Sequence, residues 1–396
     1  MKFSEPIEVR GLRVKHRILM SAMTSSRAEE NGASSAWSRA HYTARARGGA
    51  AICFTEATYI NQAGKGFPNQ LGTHDDVLIS SLKQLIEEVE GAGAPLAVQI
   101  FHAGRTALSA VTGVPALAPS PIIHPMSDEM PREMTDAEVK ETIQAYGKAA
   151  RRVRDAGAKI IEIHGATWYL LQQFFSPASN MRSGEWGGSL DKRMRFPLEV
   201  VRAVREGAGE EMVISYRTCL LEPWEDGFSI EDTLVLAAEL EDADIDIIHC
   251  SRNARNGVPV VPDLYNPAFQ RLKKKVGLPL IANGASFEAA QVEAYMDMGA
   301  DFVAVGRAML TDPDYAKKAL SGRGNEVIRC IECRPCIYMR DSRCPDEAYP
   351  EGIPASLADV LEVASKMTSG GYAPTQRKRV SLDESVDEEP EGSAVS

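Results

Sequence analysis

TDAEVKETIQAYGKAARRVRDAGAKIIEIH, residues 135–164, contains one complete helix-to-strand unit, and its reading extends to most of the chain. Thr135 and Glu138 have the spacing of a capping box, and Asp136–Ala156 follows with helical periodicity. Lys159–His164 is then a short, β-branched apolar run, as expected of a strand buried on both faces. The same alternation runs from residue 17 to about 320. Upstream strands are expected at Arg17–Ser21, Ala50–Thr55 and Leu96–Ile100. Downstream they are expected at Met212–Arg217, Ile245–Cys250, Leu278–Asn283 and Asp301–Gly306. Helical patterns lie between them, among them Val77–Ala92, Ile230–Glu241 and Phe287–Met298, with Ser229 and Asp232 repeating the capping-box spacing. Eight strands, each leading to a helix, close a barrel. A doubly wound sheet would need a Gly-rich dinucleotide turn after an early strand, and the sequence has none. The expected fold is α/β, a (β/α)8 TIM barrel with a short C-terminal cysteine-rich extension.

The 396 residues, 44% hydrophobic and 25% charged, have the balance of an ordinary globular protein. A net charge of −11 argues against nucleic acid as a partner, and Lys273–Lys275 and Arg377–Arg379 read as solvated surface. No apolar run reaches membrane-spanning length, and the N-terminus lacks the apolar core of a signal peptide. The expected address is the cytoplasm. The barrel is expected over residues 1–322, the extension with a helix at Ser356–Met367 over 323–370, and an acidic disordered tail over 371–396.

Two long segments interrupt the alternation, Thr106–Thr135 and Trp168–Asp191. Both follow strand carboxyl ends, the barrel face where active sites sit, and loops of that length are usually functional lids. His164 and Tyr169 lie at the end of the fourth strand, Gln99 near the end of the third and Arg217 at the end of the fifth. Asn283-Gly284 and Gly306-Arg307 end the seventh and eighth strands, where barrels commonly build a phosphate site from glycine backbone and a cation. Strand periodicity turns Arg217 toward the barrel mouth, where a guanidinium needs an anionic partner. A flat heterocycle whose ring nitrogen becomes anionic on reduction would satisfy both Arg217 and Gln99. A structural salt bridge and a satisfied core amide are the alternatives.

Cys330, Cys333, Cys336 and Cys344 form C-x2-C-x2-C-x7-C. Three thiols at two-residue intervals resemble an iron–sulfur run more than a zinc site, which usually uses two separated pairs. Cys53, Cys219 and Cys250 lie in or beside apolar strands and read as core residues.

Several stretches resemble the flavin-dependent Old Yellow Enzyme family, and within it the branch of 2,4-dienoyl-CoA reductase and trimethylamine dehydrogenase. They are RARGGAAICFTEATYI, VQIFHAGR, PREMTDAEV, HGATWYLLQQFFSPASNMRSGEWGGSLDKRMRF and DFVAVGRAMLTDP, within residues 5 to 345. The resemblance implies FMN at the barrel mouth. Thr24 would tune the flavin, Gln99 bind its pyrimidine edge and Arg217 sit near N1, with the phosphate held by Gly284, Gly306 and Arg307 and with Asn283 among the cofactor-binding residues. It also implies His164 as a carbonyl donor and Tyr169 as the proton donor, with NAD(P)H as the electron source. The second donor of the family pattern is replaced by Thr167, and the adjacent small residue by Trp168. The branch carries a [4Fe-4S] cluster where the four cysteines stand, generally with a longer final gap. The branch's nucleotide-binding domains have no counterpart in the sequence, so a cluster here would exchange electrons with a partner protein or a second subunit, or would only brace the C-terminal segment while NAD(P)H reduces FMN directly.

These features imply an FMN-dependent oxidoreductase acting on a small molecule. Its expected reaction is NAD(P)H-dependent reduction of an activated C=C bond in an unsaturated carbonyl or enoyl thioester. An amine dehydrogenase or N-demethylase, and a non-catalytic electron-transfer subunit, are the alternatives. A homo-oligomer is expected.

Overall fold

Eight parallel strands form a closed ring. The computed structural model describes residues 1–124, 127–222, 225–252, 262–284, 288–328 and 330. The strands are β1 (Ile18–Met20), β2 (Cys53–Phe54), β3 (Leu96–Phe101), β4 (Ile160–Gly165), β5 (Val213–Cys219), β6 (Ile247–Ser251), β7 (Leu280–Gly284) and β8 (Phe302–Val305). Each pairs in parallel with its sequence neighbours, and Val303↔Ile18 to Val305↔Met20 joins the last to the first. The expected barrel and all eight of its strands are present, with small differences at their ends.

The alternation of the strands sorts the side chains into two sets. Val98, Ile100, Ile161, Ile163, Ile214, Ile248, Leu280 and Val303 belong to one buried cluster with the inner faces of the helices. Those helices are α1 (Ala36–Arg47), α2 (Ile79–Gly91), α3 (Asp136–Asp155), α4 (Leu190–Ala208), α5 (Ile230–Asp242), α6 (Pro262–Lys275) and α7 (Ala289–Asp297). Leu82, Leu85, Ile86 and Val89 are the apolar face of α2; burying one such side chain is worth about 1.5–3 kcal/mol. Thr135 and Ser229 cap α3 and α5 through the two capping boxes read from the sequence. The helices α3 and α4 pack closely because Gly147 and Gly207 face each other: a Cβ on Gly207 would lie 2.2 Å from the Gly147 carbonyl oxygen.

The second set is smaller and fills the barrel. Leu19, Ala97, Ile160, Val213, Ile247, Ile281 and Phe302 cluster with Val9 and Val14. The latter two come from an antiparallel hairpin, Ile7–Val9 with Leu12–Val14, so this apolar plug closes the amino-terminal end of the barrel. Two residues further along the strands the interior becomes polar, and this change positions the site.

The two long interruptions have structure of their own. Thr106–Thr135 contains a helical turn, Ser109–Thr112, and a parallel pair, Leu117–Ala118 with Arg132–Glu133. Trp168–Asp191 contains a buried helix, Leu170–Phe175. Arg182 joins the two segments: its guanidinium donates to the Met134 carbonyl at 2.5 Å and to Asp136 Oδ1 at 2.7 Å. Asn180 braces the turn by donating to the carbonyls of Phe174 and Trp186, both at 2.7 Å. Much of the stretch HGATWYLLQQFFSPASNMRSGEWGGSLDKRMRF therefore serves to fold the loop that follows β4. The expected helix at Ser356–Met367 and the acidic tail lie outside the described residues.

Candidate active site at the carboxyl end of the barrel

The parallel strands all deliver their carboxyl ends to one rim, and the expected site residues collect there. His164 is buried near the end of β4, and its Nδ1 accepts the Ala166 backbone N–H at 3.3 Å. In the neutral ring this leaves the proton on Nε2, so the ring presents a donor. Tyr169 is 6% exposed and stands edge-on to His164 with ring centroids 5.0 Å apart. It also stands edge-on to Phe101 of β3 at 4.5 Å, so the two aromatic neighbours fix the phenol ring.

The turn between His164 and Tyr169 is unusual. Thr167 and Trp168 have φ of +60° and +62°, a region costly for a β-branched residue and for an indole-bearing one. Two glutamines clamp this turn. Gln172 Oε1 accepts the Trp168 N–H at 2.9 Å, and Gln173 Nε2 donates to the Trp168 carbonyl at 2.5 Å. Gln173 also donates to the Ala103 carbonyl at 3.1 Å and accepts the Arg105 N–H at 3.0 Å, fastening the loop after β3. Gln172 donates onward to Glu222 at 2.8 Å, and Ser176 Oγ does so at 2.5 Å. Burial raises the Glu222 carboxyl above the usual range, and these donors pull it back in part. The indole of Trp168 meets the His124 ring, 5.6 Å between centroids, so the Thr106–Thr135 segment reaches the same rim.

Arg217 of β5 donates from Nη2 to Ser251 Oγ of β6 at 3.3 Å. Its register partners are His164 on one side and His249 on the other. Below it lies a polar layer. Glu162 accepts from Gln99 Nε2 at 2.6 Å and from Ser215 Oγ at 2.9 Å, and pairs with His249 Nδ1 at 2.7 Å. Asn283 Nδ2 donates to Ser21 Oγ at 2.9 Å and lies 3.1 Å from His249 Nε2. The side chain of Asn283 is thus turned into this layer, while Gly284 follows it at the strand end. Gly306 follows β8 and caps the short helix Arg307–Thr311; an added Cβ would lie 3.5 Å from Met23 Sδ, one residue before Thr24.

The loop carrying Thr24 has its own anchor. Ser25 donates its N–H and hydroxyl to Glu56, each at 2.9 Å, and Ser26 donates its N–H at 3.2 Å. Burial pushes the Glu56 carboxyl up to about 7 in spite of these donors.

Thr24, His164, Tyr169, Arg217, Asn283, Gly284 and Gly306 belong to strand ends or the turns that leave them, Gln99 lies two residues inside β3, and Arg307 opens the short helix after β8. Sequence reading missed Glu162, His249, Glu56 and the Gln172–Gln173 pair. Glu162 stands two residues before His164 in a strand, a spacing that puts both on one face and could have revealed it. Of the expected cluster ligands, Cys330 is half-buried against the barrel core, whereas Cys333, Cys336 and Cys344 lie outside the described residues. Among the described residues there is no group of three or more potential metal ligands, and no helix is long and apolar enough to cross a membrane.

A rim of this kind can hold a planar polar ring and present a donor and a phenol to a second molecule. The chain is 37% identical over 349 residues to an NADH oxidase of Thermoanaerobacter brockii, a match covering 85% of this chain and 54% of the relative. It thus spans about half the length of that protein. It is 32% identical to an NADH:acrylate oxidoreductase of Vibrio harveyi, over 78% of this chain and 32% of the relative. Among solved structures, morphinone reductase superposes with a TM-score of 0.72 at 26% identity, over 81% of this chain and 89% of that one. Residues 2–326 match the NADH:flavin oxidoreductase / NADH oxidase family, and with that span the chain belongs to this family.

Proposed function

We propose that this chain is an FMN-dependent enzyme that uses NAD(P)H to reduce an activated C=C bond in a small α,β-unsaturated carbonyl, carboxylate or thioester. The observation that carries the reading is the buried His164–Tyr169 pair, an imidazole whose Nδ1 accepts the Ala166 N–H and which stands beside a phenol at the carboxyl end of β4. The donor set fits a flavin: a guanidinium, a fixed amide and a small hydroxyl share the rim with glycine backbone at the ends of β7 and β8. Arg217 and Gln99 would hold the ring system, Thr24 would face its reactive edge, and Gly284, Gly306 and Arg307 would take the phosphate. Bound FMN supplies hydride transfer between the nicotinamide and the substrate carbon. His164 binds the substrate oxygen and stabilises the charge that develops there. Tyr169 delivers a proton to the adjacent carbon. Trp168 and the His124 segment shield the site from water. The acrylate named for the Vibrio harveyi relative is a substrate of this class.

The cysteine run supports a [4Fe-4S] cluster held by Cys330, Cys333, Cys336 and Cys344, exchanging electrons with a partner protein or second subunit. A second reading, oxidation of an amine, draws on Thr167 and Trp168: a threonine at the second-donor position gives a weak carbonyl clamp, and an indole face suits a cation. Anaerobic titration with NADPH and then NADH distinguishes the two. Bleaching of the flavin band, followed by its return on adding an enone or acrylate, is the expected result. A flavin that neither nucleotide reduces but an amine does would refute C=C reduction.

A further inference from the structure

The proposed reaction gives no role to Glu162, Ser215 or His249 in the polar layer beneath the rim. Glu162 is fully buried and is approached by three donors, from Gln99, Ser215 and His249, all within 2.9 Å. Three donors select the carboxylate, because a protonated carboxyl would set its own O–H against one of them. Burial opposes ionisation, but His249, Arg217 and Gln99 outweigh it and hold Glu162 below the usual carboxylate range. Burial also lowers His249, and because Asn283 Nδ2 can only donate, the ring proton lies on Nδ1, facing the carboxylate. Its Nε2 is then an acceptor, which matches the Asn283 Nδ2 placed 3.1 Å away. One charge thus orients His249 and, through it, Asn283. The same charge draws the amide nitrogen of Gln99 to itself and turns Oε1 away from it.

We propose that Glu162 is a positioning residue that sets the redox poise of the flavin, by fixing the Gln99 amide and by offsetting the positive charge of Arg217. The inference rests on FMN binding at this rim. A guanidinium near the ring favours the anionic reduced flavin, and a buried carboxylate below it weakens that preference, because charges interact strongly at low dielectric.

Midpoint potentials of the FMN-loaded protein test this. Glu162→Gln should favour reduction at least tenfold, about 30 mV upward for a two-electron couple. Glu162→Asp, which keeps the charge, should stay near the wild-type potential. Ser215→Ala removes one donor, leaves the carboxylate less neutralised and should move the potential downward. Opposite signs for E162Q and S215A are the signature that merely loosened packing would not give. Potentials equal to wild type in flavin-replete E162Q and S215A, or shifts of one sign, would overturn the inference. Should E162Q purify without flavin, S215A decides alone, with a downward shift supporting and any other result refuting. Titration of apo wild-type protein with FMN separates the two levels: no binding sinks the proposed function, whereas tight binding with unshifted variants sinks only the role of Glu162.

Discussion

Replacing Gln173 with alanine should separate the two halves of the catalytic cycle. Its side chain makes three hydrogen bonds, to the carbonyls of Ala103 and Trp168 and from the Arg105 N–H. At about 1 kcal/mol each, their loss costs about 3 kcal/mol. Part of this returns, because Thr167 and Trp168 are then released from left-handed conformations that store about 1 kcal/mol or more apiece. The net loss of stability is therefore only about 1–2 kcal/mol, readable as a shift in the urea midpoint at unchanged slope. The larger effect falls on Tyr169, which follows the released turn directly. A displacement of about 1 Å at a proton donor is enough for a loss of about 100-fold. Stopped-flow absorbance would follow flavin reduction by nicotinamide and flavin reoxidation by an enone separately. The first should stay near wild type and the second fall. Reoxidation at the wild-type rate in Q173A would refute the view that this glutamine holds the catalytic turn.

Tyr169→Phe should slow substrate-driven reoxidation by about 100-fold while leaving flavin reduction intact, and equal rates would remove the phenol from the mechanism. Gly104→Ala should destabilise the protein by at least 2 kcal/mol in urea unfolding, since φ is +63° and the new Cβ would lie 2.3 Å from Gln173 Oε1. Glu56 gives a pH signature. Its folded carboxyl stands near 7 against 4.5 unfolded, so only the unfolded chain ionises between those values and stability falls as pH rises, by roughly 3 kcal/mol. Urea midpoints at pH 5 and pH 7.5 should show this slope in wild type and lose it in Glu56→Gln; an unchanged slope would assign it elsewhere. Cys336→Ala should lower the iron and acid-labile sulfide of anaerobically purified protein, and equal content would take Cys336 out of the cluster.

The barrel was legible because buried parallel strands need apolar residues on both faces, and runs such as Lys159–His164 and Leu278–Asn283 declare that locally. The rim residues were legible for a related reason: a histidine or arginine at the end of such a run breaks the apolar pattern where the fold places chemistry. The helix Leu170–Phe175 was not, because all its residues, Gln172 and Gln173 included, are buried and leave no exposed face to mark a period. Asn180 and Arg182 carried a specific pattern, yet their work, bracing one loop against another, shows only in three dimensions.

By itself, the sequence determined the strand count, the order in which strands pair and the end of the barrel where Gln99, His164, Arg217 and Gly306 collect, since these follow from periodicity and chain direction. It also determined the spacing of the four cysteines. Only the tertiary structure decided what those side chains face. Gln99 bonds Glu162 across 63 positions, and Glu162 meets His249 across 87. A buried charge is tolerated only where donors from several strands converge on it, and that convergence comes from closing the sheet, which no local stretch of sequence records.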